Sequence, residues 1–316
     1  MSKFSLWCDF IEHSFLDNEF LNLLNRGING ATSNPAIFKQ AILNSSIYKD
    51  KIAKSKVKKA KELYEELAIA DIKKAADKLA YKFFQNDDGF ISLEIDPRLH
   101  DNTSLSLAEA KRLYSVIAKD NVMMKIPATK NSYEVMYELM KIGINVNATL
   151  IFSTKQCQEC FDALNLGLKE FRKQNPRLRA PQGVISIFVS RFDRLLKNDK
   201  IGILNANLAY NLIERNKESN IRALFASTGV KGDDLAKDYY IKELLFDNAI
   251  NTAPLESIHA FKGEFNFKKP LYNDELYKEL NLLISPDKKE EVDKFLLDDG
   301  LNQFCLAFED ILKALW

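Results

Sequence analysis

Short apolar runs alternate along this chain with longer stretches in which apolar residues recur every three or four positions. The short runs predict strands at residues 5–10, 28–33, 90–95, 122–127, 144–151, 184–190, 222–227 and 249–252. The longer stretches predict helices between them, among them 105–119, 132–142, 154–173, 203–217 and 233–244. Eight strands separated by helices is the count of an α/β fold of the (β/α)8 or TIM-barrel kind. Two segments exceed it. A long helix rich in Lys, Ala and Glu is inserted at 55–85, after the second strand, and extra C-terminal helices fill 287–316, where Gly300 is expected to interrupt them.

Strand side chains alternate between two faces, and in a barrel one face looks at the axis and the other lies under the helices. One face sorts as apolar throughout: Leu6, Cys8 and Phe10, then Ile91, Leu93 and Ile95, then Val122, Met124 and Ile126. Val146, Ala148 and Leu150 follow, then Ile185, Ile187 and Val189, then Leu224 and Ala226. The other face carries Asp9 beside Trp7, Glu94 beside Ser92, and Lys125 beside Met123. It also carries Asn145, Asn147 and Thr149, then Ser186 with Phe188, then Phe225 with Ser227. Polar residues gather near the C-terminal ends of these strands, where barrel active sites are built. Any single strand reads equally well as one shifted by a residue. Six strands sorting the same way argue for one polar, inward-facing site.

Composition narrows the partners. Of 316 residues 46% are hydrophobic and 28% charged, enough to bury a large core in one domain spanning 1–316. The 45 basic and 44 acidic residues leave a net charge of +1, which excludes a nucleic-acid footprint over the whole surface but allows a local anion site. Six lysines crowd residues 51–61, but Glu62, Glu65 and Glu66 follow, so the run reads as a solvated helix face. No leader-type apolar core opens the chain, and no run approaches the ~20 apolar residues that span a bilayer. A cytoplasmic protein that engages no membrane, monomeric or homodimeric, is expected. The four cysteines include a CxxC pair, Cys157 and Cys160, inside a helical pattern. Without a second pair this reads as two helical cysteines rather than a metal or redox site. His13, His100 and His259 stand far apart, and neither metal nor cofactor is expected.

An inward lysine at a strand end suggests covalent catalysis. A lysine amine has an ordinary pKa near ~10.4, and a desolvated amine loses its proton more readily, which frees the lone pair to attack a ketone. The resulting iminium withdraws electrons, so the neighbouring carbon–carbon bond can break. Imine formation and bond cleavage each need proton transfer, and two separate carboxylates, Glu94 and Asp9, fit the two jobs. Asn34, Asn147 and Ser186 suit the hydroxyls of a sugar-like substrate. Arg191 and Lys231, on loops at the same end, suit a phosphate, helped by the turn Ser227-Thr228-Gly229-Val230-Lys231. Taken alone, Lys125 reads as a lysine reaching for solvent, and Arg191 as the ion-pair partner of Asp193 or Asp199.

Several segments then resemble one family in order. Gly30-Ala31-Thr32-Ser33-Asn34-Pro35-Ala36-Ile37-Phe38 is similar to the N-terminal signature of the transaldolase family. Met123-Met124-Lys125-Ile126-Pro127-Ala128-Thr129 resembles its Schiff-base segment. Asn145-Val146-Asn147-Ala148-Thr149 and Ser186-Ile187-Phe188-Val189-Ser190-Arg191 resemble its fifth and sixth strands. Ser227-Thr228-Gly229-Val230-Lys231 resembles the branch in which a lysine serves the phosphate site. The resemblance implies a Schiff base on Lys125. It implies imine proton transfers by Glu94 with a water and Thr149, and action of Asp9 on the hydroxyl beside the breaking bond. Asn34, Thr32, Asn147, Ser186 and Phe188 would line the dihydroxyacetone site, and Arg191, Ser227 and Lys231 the phosphate site. Ser132 stands where the family commonly has glycine, and is expected to cap the following helix.

The implied reaction moves dihydroxyacetone from sedoheptulose 7-phosphate to glyceraldehyde 3-phosphate. An aldolase that releases free dihydroxyacetone is the neighbouring reading, and Glu94 and Phe188 lean against it. A sugar-phosphate-binding barrel without turnover is the third, opposed by the intact Asp9, Glu94 and Lys125 set.

Overall fold

Eight short strands carry the architecture: β1 (Ser5–Cys8), β2 (Gly30–Thr32), β3 (Phe90–Glu94), β4 (Val122–Pro127), β5 (Asn145–Ile151), β6 (Gly183–Phe188), β7 (Ile221–Ala226) and β8 (Ile250–Ala253). Each pairs in parallel with the next, and β8 pairs with β1 to close the barrel. The computed structural model describes residues 4–263 and 265–316. Residues 1–3, which begin the stretch read for a leader, lie outside it. Among the described residues no helix is long and apolar enough to cross a membrane.

Alternation sorts β1, β3, β4 and β6 as expected. Leu6, Cys8, Ile91, Leu93, Met124, Ile126, Ile185 and Ile187 join the helices in one large core. Trp7, Phe90, Met123 and Val184, which alternate with them, belong to a second cluster that fills the barrel. Trp7 lies so close over Gly30 that a Cβ there would meet its ring at 2.4 Å, so only glycine fits. The N-terminal end of the barrel is closed by a buried ion pair. Arg222 Nη1 donates to Asp88 Oδ1 at 2.7 Å, and Trp7 Nε1 donates to Asp88 Oδ2 at 2.9 Å. Arg222 also reaches Ser5 Oγ and the Asn248 carbonyl, so its donors are well used.

Two strands depart from the expected sorting. In β7 the faces are reversed: Leu224 and Ala226 point inward, while Phe225 packs outward against Tyr210 and Phe246. Near its C-terminal end both faces of this strand are apolar, and the one charged residue, Arg222, shares the inner face with Leu224 and Ala226. Ser227 still reaches the mouth, because it lies past the strand with φ +54° and turns the chain. In β5 the pairing with β6 slips after Ala148, and Leu150 takes φ +60°. That irregularity moves Leu150 from the helix-covered face into the inner cluster.

The helices follow their apolar stripes. The long helix after β2 runs Ala60–Phe84 and buries Leu63, Leu67, Ile72, Ala75, Leu79 and Phe83 at helical spacing. Two shorter helices, Pro35–Asn44 and Ser46–Lys54, precede it. The helix expected at 233–244 shrinks to Tyr239–Glu243, since the polar residues before it offer little apolar face to bury. Ser132 stands at the start of helix Tyr133–Lys141 but makes no capping bond; its hydroxyl pairs with Thr129 Oγ1 at 2.8 Å instead. Cys157 and Cys160 are fully buried on helix Thr154–Gln174, and burial lifts both thiols, which leaves them unreactive.

The tail forms helices Asn273–Leu283 and Pro286–Ala314. Gly300 does not interrupt the second of these. It sits mid-helix where a Cβ would stand 2.9 Å from Leu150 Cδ2, so the glycine permits close approach to the end of β5. This closing helix lies against helix Pro35–Asn44, the turn after β3 and the exit of β5, and so crosses the C-terminal mouth of the barrel.

Candidate active site

Register brings the central groups together. Glu94 and Lys125 are paired neighbours on β3 and β4, and Lys125 is paired with Asn147 on β5. All three point inward near the C-terminal ends of their strands. Lys125 Nζ lies 3.4 Å from Glu94 Oε2 and donates to the Ser33 carbonyl at 3.1 Å. Phe304 of the closing helix covers it, with the ammonium 5.7 Å from the ring centroid. Lys125 and Glu94 are each 5% exposed, so the pair is shut away from bulk water.

The two carboxylates have different surroundings. Apart from the nearby ammonium, neither oxygen of Glu94 has a hydrogen-bond partner among the described residues. Burial lifts its pKa to about 7, with Lys125 opposing the rise and Asp9 adding to it. It can therefore hold or release a proton near neutrality. Asp9 follows β1 and accepts a 2.6 Å bond from Thr32 Oγ1, which in turn shares a 2.6 Å contact with Thr252 Oγ1. Burial raises the Asp9 carboxyl too, but Lys125 and the Thr32 hydroxyl restrain it. Asp9 is the better hydrogen-bonded carboxyl and Glu94 the one poised near neutrality.

The residues expected to meet sugar hydroxyls divide likewise. Ser186 Oγ donates to Asn147 Oδ1 at 2.6 Å, and Asn147 Nδ2 donates to Ser92 Oγ at 3.0 Å. These groups satisfy one another. Thr149 Oγ1, two residues further along β5, is buried with no hydrogen-bond partner among the described residues. Asn34 is the N-cap of helix Pro35–Asn44, its Oδ1 accepting from Ile37 N at 3.0 Å. The cap uses the carbonyl and leaves the amide N–H groups for another partner.

The anion-type groups are only partly gathered. Arg191 stands above the Phe188 ring, 5.4 Å from its centroid, and Phe188 packs on Phe152. Its ion-pair contact is with neither Asp193 nor Asp199 but with Asp299 on the closing helix, at 3.7 Å. Asp193 instead accepts from Gly202 N and the Tyr240 hydroxyl. Burial and the neighbouring Arg194 lower the Arg191 pKa. Ser227 Oγ lies 3.1 Å from Ser190 Oγ. Lys231 is exposed and lines a cleft of about 580 Å³ with Ser190 and Arg194. Ser190 thus links the Ser227 turn to the cleft that holds Lys231.

Some contributors escaped sequence reasoning. Ser92 sorted to the inner face with Glu94, so alternation already marked it. Thr252, the Ser33 carbonyl and Ser190 had no signal beyond their place at strand ends. Phe304, Asp299 and Gly300 were hidden because the tail carries no strand to place it over the mouth. Among the described residues no three His, Cys, Asp or Glu side chains gather as a metal-ligand set.

Six buried side-chain oxygen or nitrogen atoms lack a hydrogen-bond partner among the described residues, and four of them belong to Glu94, Thr149 and Arg191. Such atoms cost stability, and their concentration here marks a place built for a ligand. The arrangement offers a buried amine, a proton carrier poised near neutrality, a hydrogen-bonded carboxylate and a desolvated guanidinium in one barrel mouth.

A family model described as transaldolase/fructose-6-phosphate aldolase matches residues 6–315. The chain is 72% identical to a transaldolase of Campylobacter jejuni subsp. jejuni, over 100% of both chains. It is 71% identical to one of Campylobacter jejuni subsp. doylei, again over 100% of both. A Helicobacter pylori transaldolase is 45% identical, with 99% of this chain and 100% of that protein covered.

Proposed function

Since the chain belongs to the transaldolase/fructose-6-phosphate aldolase family, we propose that Lys125 carries the covalent intermediate of its reaction. The reaction transfers a dihydroxyacetone unit from sedoheptulose 7-phosphate to glyceraldehyde 3-phosphate. It yields erythrose 4-phosphate and fructose 6-phosphate, in the non-oxidative branch of the pentose phosphate pathway. The enzyme is a transferase. The observation that carries the assignment of roles is the buried Lys125 amine 3.4 Å from a Glu94 carboxyl whose oxygens have no other partner among the described residues.

The Lys125 nitrogen attacks the donor's ketone carbon, and the carbonyl oxygen takes a proton. Glu94 delivers the proton that lets this oxygen leave as water, and the C=N bond forms. Its position and its pKa of about 7 support that task, with Thr149 holding the water. Asp9 then removes the proton from the hydroxyl on the far side of the bond to be cleaved. The carbon–carbon bond breaks, its electron pair flows toward the iminium nitrogen, and the aldehyde departs. The three-carbon enamine attacks the acceptor aldehyde, Asp9 returns its proton, and water hydrolyses the imine. Asn34, Thr32, Asn147, Ser186 and Phe188 line the three-carbon unit, and Arg191, Ser227 and Lys231 hold the phosphate. We place the protein in the cytoplasm, where its four cysteines, all free, remain reduced.

Borohydride added with fructose 6-phosphate tests the proposal. A three-carbon adduct should appear on the peptide that contains Lys125, and Lys125→Ala should abolish it. An adduct on another lysine overturns the assignment. Omitting the acceptor should leave the enamine on the enzyme; rapid release of free dihydroxyacetone would make this an aldolase.

A further inference from the structure

Arg191 is embraced from a direction the strands do not supply. It opens helix Ser190–Leu196, and its side chain is only 13% exposed. Its Nη1 lies 3.7 Å from Asp299 Oδ2 and makes no hydrogen bond among the described residues. The contact is therefore one of charge without a bond. The same Asp299 oxygen already accepts from Gln303 Nε2 at 2.6 Å, one turn further along the closing helix. Gly300 explains how the acid comes to be there. A Cβ at that position would stand 3.3 Å from Arg191 Nη1 and 2.9 Å from Leu150 Cδ2. With no side chain at 300 the helix settles almost on the guanidinium and carries the adjacent carboxylate to its edge.

We infer that Asp299 is a specificity-determining residue, a like charge held at the rim of the anion site that weakens the grip of Arg191 on the substrate's phosphate. This rests on the phosphate role proposed above for Arg191. An arginine–phosphate pair forms short, often bidentate bonds. Asp299 makes no such bond, so a phosphate does not have to displace it to reach Nη1. Once the phosphate is bound, the carboxylate remains beside it as a repelling charge. The device limits affinity for phosphorylated sugars and favours their release, and it leaves the chemistry on Lys125 untouched. The opposite role, in which Asp299 orients Arg191 for phosphate, predicts a change of opposite sign when the charge is removed.

The test compares Asp299→Asn, Asp299→Glu and Arg191→Ala with the parent enzyme. The readout is the ratio of kcat/KM for fructose 6-phosphate to kcat/KM for unphosphorylated fructose as donor, taken within each variant so that any loss of folded protein cancels. In Asp299→Asn the ratio should rise about 3–10-fold, because a partly screened charge facing a near-dianion outweighs an exposed single pair. Asp299→Glu should stay near the parent value. The gain should shrink as salt is raised, since screening removes a charge effect and not a structural one. A ratio that falls or stays level in Asp299→Asn overturns the inference. Arg191→Ala separates the two levels. If it leaves the ratio at the parent value, the phosphate is bound elsewhere and both readings fail. If it collapses the ratio while Asp299→Asn does nothing, only the role of Asp299 fails.

Discussion

Replacing Glu94 with glutamine should cost activity while stabilising the protein increasingly as pH rises from 5 to 8. Burial lifts the Glu94 carboxyl from an ordinary 4.5 to about 7, against the pull of Lys125. In the unfolded chain it ionises near its ordinary value. Below that value the acid is neutral in both states and costs nothing. Above it the unfolded chain gives up the proton while the folded protein keeps it, so stability falls with pH until the folded protein ionises too. The window is about 2.5 pH units wide, and each unit is worth ~1.36 kcal/mol, so the full loss is about 3 kcal/mol. Glutamine does not titrate and escapes it. Urea unfolding of parent and variant at pH 5 and pH 8 measures the effect. The stability of the variant relative to the parent should rise by about 2–3 kcal/mol between the two. Taking the change with pH removes any constant effect of the amide. A difference that is flat with pH, or that falls, refutes the claim that Glu94 is held as a desolvated acid. The same variant should form the imine ~10²–10⁴-fold more slowly, the usual value of general acid–base help.

Other expectations follow from the same geometry. Asp9→Asn should still form the imine but stall before cleavage, so mass spectrometry of the reduced Lys125 peptide should find the donor's full carbon chain; a three-carbon adduct at the parent rate would remove Asp9 from the cleavage step. Arg222→Ala should lower unfolding stability by about 3–5 kcal/mol in urea, because it removes the cation paired with the buried Asp88 carboxylate; a loss under 1 kcal/mol would mean the closed end of the barrel is not held by that pair. Activity should survive exhaustive EDTA treatment, and a loss restored by a divalent ion would count against the metal-free reading.

Much of this was written in the order of side chains along the strands. Asp9, Glu94 and Lys125 share a face because they alternate with Cys8, Leu93 and Met124, and register does the rest by pairing Glu94 with Lys125. Alternation misleads where a strand is irregular or apolar on both faces at its C-terminal end. In β7 the C-terminal half is apolar on both faces, and the inward side is marked only by Arg222 at the strand's other end. In β5 a local irregularity at Leu150 breaks the period of two. The closing helix lay beyond alternation altogether. Nothing in the run from Pro286 to Ala314 says which surface it crosses, and Gly300 reads as a helix breaker until Leu150 and Arg191 are seen beneath it. Contacts such as Arg191 with Asp299 join distant parts of the chain, and topology alone brings them together.

The distribution of unpaired atoms says where substrate binding draws its free energy. Asn147, Ser186 and Ser92 already bond one another, as do Asp9, Thr32 and Thr252. A sugar hydroxyl arriving there exchanges one hydrogen bond for another, so the net gain is small, and these groups serve orientation more than affinity. Glu94, Thr149 and Arg191 are different, for each has a buried atom with no hydrogen bond to lose. A ligand that satisfies them relieves a desolvation cost already present in the folded protein, worth about 1–3 kcal/mol for each neutral group. In the proposed roles, Glu94 and Thr149 would meet the reacting carbon and Arg191 the phosphate. Binding is thus strongest at the two ends that must be held apart, the imine carbon and the anion, while the hydroxyls between them set the alignment. On the proposed roles the Asp299 charge stands at the phosphate end, 3.7 Å from Arg191, where repulsion would loosen a bound phosphosugar without touching Lys125.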